Sequence, residues 1–187
     1  MIQPREQYVL SGVTAADEFH LNKDVFLILL HARRVPPHIY LSVAGKIFSL
    51  GVKGPMVDGH MAQMLRFIKS QRAETLFIEL MLPPVFSIPQ LLERIRKITL
   101  GYNRVDEGIT TCLTPVRDFC DEVYGTGKSD VNLIFDLLPK LQKRQVVGAI
   151  YQQHLGHVIS QGCFAMNRYV VADIYESIYR AKAGIPI

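Results

Sequence analysis

An α+β fold is expected from three features of the sequence. Asp24-Val-Phe-Leu-Ile-Leu-Leu-His31 is a continuous apolar run of strand length, as for a strand covered on both faces. Two β-prone runs, His38 to Val43 and Lys46 to Val52, flank Ala44-Gly45 and read as a hairpin. The coarse order that follows is helix, strand, helix, helix and then a helical tail, which completes an α+β chain.

In order, Pro36-Pro37 breaks the chain before the hairpin, and Gly54-Pro55 ends it. Between Asp58 and Arg72, the residues Met61, Met64, Leu65 and Ile68 recur at helical spacing, with Arg66, Lys69 and Arg72 on other faces. Thr75 to Met81 reads as a strand. Ser87-Ile-Pro-Gln90 has capping-box spacing with proline in the first turn, followed by the stripe Ile88, Leu91, Leu92, Ile95 and Ile98 and a stop at Gly101. Pro115 fits only the first turn of a helix, so the segment ending at Tyr124 and Gly125 should start at or just after Cys112. Beyond Ser129 the periodicity predicts mainly helix: Val131 to Leu138, a break at Pro139, a stretch to Leu155, and Asn167 to Ala183.

The 187 residues, 49% hydrophobic and 20% charged, suit one domain over 1–187 and exclude fibrous and disordered classes. Subtracting 17 acidic from 21 basic residues leaves +4, with the basic residues in short groups among carboxylates, which argues against dedicated nucleic-acid binding. Three cysteines without a Cys-x-x-Cys pair give neither a disulfide framework nor a zinc or dithiol motif. Reduced thiols fit a cytoplasmic protein; no transmembrane segment or signal peptide is apparent, so export would need a signal-independent route. Oligomeric state is not legible.

Cys112 is the first candidate for chemistry. A thiol at a helix N-terminus meets unpaired N–H groups and the positive end of the macrodipole, which favour a thiolate and can hold an oxyanion. The plain alternative is a small buried hydrophobe. Cys120, in the helix body between Phe119 and Val123, reads as core, and Cys163, between Gly162 and Phe164, has no activating context. A thiol nucleophile needs a base, and His38 opens the hairpin after a rigid corner, a sound mounting for one. His154 and His157 lack a third ligand at metal spacing, and no metal or cofactor is expected. Gly125-Thr-Gly-Lys-Ser129 follows a helix and reads as a helix stop and new start rather than a phosphate loop.

His38-Ile-Tyr-Leu-Ser-Val-Ala-Gly45, with Cys112 opening a helix 74 residues later (112 − 38), resembles the circularly permuted papain-like families. These include permuted NlpC-type enzymes and lecithin–retinol acyltransferase-like proteins, in which a hairpin histidine precedes the cysteine. The likeness spans about residues 24 to 125, leaving 129–187 as a helical C-terminal extension. It implies a small antiparallel sheet packed on the nucleophile helix, and a cysteine hydrolase or acyltransferase acting on a peptide, isopeptide or lipid acyl bond through Cys112 and His38. A bacterial cell-wall or lipid hydrolase, or a secreted effector, falls within that range. Aligning the hairpins places Ser49 at the position that orients the histidine, with Lys53 and His60 as alternatives. Thr111 stands where the family often has asparagine, and Lys23-Asp24 where it often has Gly-Asp. The competing expectations are a papain-like interaction module without activity and an unrelated α+β binding domain.

Overall fold

The computed structural model describes residues 6–106, 108 and 110–185. The strands are β1 (Gln7–Leu10), β2 (Val13–Ala15), β3 (Val25–Leu30), β4 (His38–Val43), β5 (Lys46–Gly51), β6 (Gly54–His60), β7 (Thr75–Leu80), β8 (Val147–Gln153) and β9 (Phe164–Asn167). The α-helices are α1 (Met61–Gln71), α2 (Ile88–Leu100), α3 (Leu113–Tyr124), α4 (Ile134–Lys143) and α5 (Val171–Lys182). Seven strands form one sheet in the order β2-β8-β7-β3-β4-β5-β6, parallel only between β2 and β8, while β1 and β9 form a separate antiparallel pair.

β3 lies at the centre because its side chains bury on both faces. Val25, Leu27 and Leu29 join a core with Leu91 and Ile95 of α2 and Val116 and Phe119 of α3. Phe26, Ile28 and Leu30 join a second core with Met61, Leu65 and Ile68 of α1. An apolar run without alternation has this physical cause: each side chain removed from water contributes about 1.5–3 kcal/mol, and both faces offer a helix to receive it. The β4–β5 hairpin closes through Ala44 and Gly45, both at positive φ (46° and 76°), the backbone of a type I′ turn. In α2, the Ser87 N–H donates to Gln90 Oε1 at 2.8 Å, as its capping-box spacing requires.

The sheet is larger and more mixed than the small antiparallel sheet expected from sequence. β6 extends it at one edge, where Pro55 is tolerated. The helical extension expected over 129–187 is also overturned. Pro139 lies inside α4 instead of ending it, with Ile134, Leu137, Leu138 and Leu141 buried around it; this packing offsets the hydrogen bond that proline cannot make. Val147–Gln153 is a strand, not a helix: it takes hydrogen bonds from β7 on one side and β2 on the other. Phe164–Asn167 pairs with β1, and the last helix starts at Val171, so Tyr169 precedes it and is buried against Phe135. The C-terminal part therefore completes the sheet and the larger core rather than adding a layer outside them.

Candidate active site

His38 opens β4 immediately after the corner at residues 31–37, where the Arg34 N–H donates to the His31 carbonyl at 2.8 Å. Cys112 is the N-cap of α3, in right-handed helical conformation. The start of α3 is fixed by its threonines: the Leu113 N–H donates to Thr111 Oγ1 at 3.2 Å, and the Thr111 N–H donates to Thr114 Oγ1 at 2.9 Å. α3 packs on β4 and β5, which carries the cysteine to the end of the sheet where His38 stands.

There His38, Ser49 and Cys112 line one cavity of about 390 Å³, together with Tyr40. Ser49 is 2% exposed and makes two hydrogen bonds. Its hydroxyl donates to the Ile39 carbonyl at 3.0 Å, and its oxygen lies 2.9 Å from His38 Nε2. A hydroxyl has one proton, and here the carbonyl takes it. Ser49 Oγ therefore accepts from His38 Nε2–H, which puts the proton of the neutral ring on Nε2 and leaves Nδ1 with a free lone pair. The Tyr40 ring packs edge-on against the imidazole, with centroids 4.5 Å apart, and fixes its plane.

Burial dominates the electrostatics. It lowers the His38 pKa to about 4, with His31 adding a like-charge contribution, so the ring is neutral at physiological pH. It raises the Cys112 thiol to about 11, against the N–H groups of Ile39, Cys112 and Leu113, which favour the thiolate. The helix start thus works in the expected direction but is outweighed by desolvation. Burial, and then Cys112, push the Tyr40 phenol to about 12. The Cys112 thiol and the His38 imidazole both rest neutral. Cys120 is fully buried in the core, and burial raises its thiol further.

Of the alternative orienting residues, Lys53 lines the same cavity, whereas His60 pairs with Lys46 at the far end of the β5–β6 ladder. Sequence reasoning missed Tyr40, His31 and the α5 wall formed by Ile174, Ser177, Ile178 and Ala181. The helical spacing of 174, 178 and 181 is readable in the sequence, but nothing local says what that face covers. Among the described residues, no group of three metal-ligating side chains could hold an ion, and no helix is long and apolar enough to cross a membrane. No family model, curated protein or solved structure matches the chain.

Proposed function

We propose that the protein is a cysteine hydrolase or acyltransferase acting on an amide or ester. The observation that carries this reading is the ordered chain Ile39 carbonyl, Ser49 hydroxyl, His38 imidazole in the cavity that Cys112 also lines, because it leaves Nδ1 with a lone pair rather than an N–H. Nδ1 removes the thiol proton as the sulfur attacks the substrate carbonyl, forming the S–C bond and moving the carbonyl electron pair onto oxygen. The backbone N–H of Cys112 receives that oxyanion, since Thr111 holds those of Leu113 and Thr114 and Pro115 has none. Its collapse breaks the bond to the amine or alcohol, which leaves with the proton from His38. A thioester remains on Cys112, and Nδ1 then deprotonates water or an acceptor amine that releases the acyl group and restores the thiol. Ser49 holds the ring in one tautomer throughout and needs no charge to do so. Peptide, isopeptide and lipid acyl bonds all fit this chemistry, and no cofactor enters it.

The raised thiol pKa favours a second reading, a papain-like interaction module whose cysteine is inert. Electrophile labelling separates the two. An acyl-enzyme mechanism requires an activity-directed acylating probe to modify Cys112 in wild type and to lose that reaction in His38→Ala, with the circular dichroism unchanged. Equal modification of both proteins overturns the enzymatic reading.

A further inference from the structure

The cavity at Cys112 has two chemically different walls. α5 supplies an apolar one through Ile174, Ile178 and Ala181. The corner before β4 and the turn between β5 and β6 supply a basic one, carrying Arg34 and Lys53. Among the described residues no aspartate or glutamate lines the cavity. Some basic side chains elsewhere lie against carboxylates, as Arg33 does against Glu74, Arg96 against Asp58 and Lys140 against Asp130, while others such as Arg66 and Arg72 stand on open surface; Arg34 and Lys53 differ from both groups in lining one cavity together. Arg34 and Lys53 have no such ion-pair partner among the described residues. Both are exposed and line the cavity.

A cleft lined by one sign of charge, with apolar material on its other side, focuses the field and concentrates ions of opposite sign. Two unneutralised cations beside one cavity repel each other, and an anion between them removes that repulsion. We propose that Arg34 and Lys53 select a substrate carrying an anionic group near its scissile carbonyl, with its apolar part against the α5 face. This inference rests on the reading of Cys112 as the nucleophile and adds the substrate's charge to it.

The test compares two alkylating reagents of nearly equal size, anionic iodoacetate and neutral iodoacetamide, with labelling at Cys112 followed by peptide mass mapping at about pH 9, where a larger fraction of the thiol ionises. The iodoacetate to iodoacetamide rate ratio cancels changes in the thiol's own reactivity. At Cys112 it should exceed the ratio for a small neutral thiol in the same buffer by about tenfold, and fall about threefold in Arg34→Gln or Lys53→Gln and about tenfold in the double variant. Added salt should lower the wild-type ratio in the same direction. A wild-type ratio no higher than that of the small thiol, or one unchanged in the double variant, overturns the anionic-substrate inference and leaves the nucleophile reading intact. Failure of Cys112 to react with either reagent, while the small thiol reacts with both, overturns the nucleophile reading and this inference with it.

Discussion

His38 and Ser49 are joined by a 2.9 Å contact between Nε2 and Oγ whose direction is set by a third group, the Ile39 carbonyl. A serine is usually a weaker orienter of imidazole than a carboxylate, because it can both donate and accept. Here its proton is already committed, so it can only accept, and the ring's tautomer is fixed without placing a buried charge beside it. The same arrangement explains why the imidazole rests neutral: nothing beside it compensates a positive charge that burial penalises.

Ser49→Ala should therefore remove two hydrogen bonds at a buried position, leaving the Ile39 carbonyl and His38 Nε2 unpaired. The expected cost is about 1–3 kcal/mol in urea unfolding. Nitrogen NMR of the imidazole should show the Nε2–H tautomer in wild type and a mixture in the variant. A wild-type ring protonated on Nδ1 would contradict the assigned direction of the bond.

The neutral burial of His38 makes stability depend on pH in a defined sense. Its folded pKa, about 4, lies below the ordinary value of 6.5, so the unfolded chain binds more protons between them. The contribution is fully present above the unfolded value and is lost as pH falls through that interval. The total loss amounts to about 3 kcal/mol. Urea midpoints measured across the acid range should fall accordingly in wild type, with a flatter profile for His38→Gln.

Replacing His38 with Ala should slow acylation of Cys112 near neutral pH by roughly 10²-fold, the lower end of what a positioned base contributes. Ser49→Ala should slow it less, since the ring keeps its place and loses only its preferred tautomer. The order of the two effects, read from single-turnover acylation rates, is the informative result. A larger effect at Ser49 than at His38 is incompatible with His38 as the base.

The hairpin turn offers a check on the scaffold. Ala44 is held at φ 46°, a left-handed conformation that asparagine tolerates better than alanine, and Gly45 follows at φ 76°. Ala44→Asn should stabilise the protein by about 0.5–1 kcal/mol, seen as a higher urea midpoint at unchanged slope. A lower midpoint would mean that the turn is not of the type I′ form.

Several elements are legible from the chain because their signals are local. The apolar run at 25–30, the hairpin about Ala44-Gly45 and the capping box at Ser87 and Gln90 each depend on neighbours a few residues away. So does the placing of His38 at a strand start and of Cys112 at a helix start. What tertiary structure decided involves partners distant in sequence. Residues 147–153 become a strand because β7 and β2 present unpaired backbone on either side, and Pro139 stays within a helix because four apolar side chains around it are buried. Gly54–His60, with two glycines and a proline, pairs as an edge strand that its composition does not announce. The charge states at the site reverse the expectation from the helix start for the same reason. A macrodipole is a property of one segment, whereas desolvation depends on everything packed around the thiol, and here the surrounding fold has the larger effect.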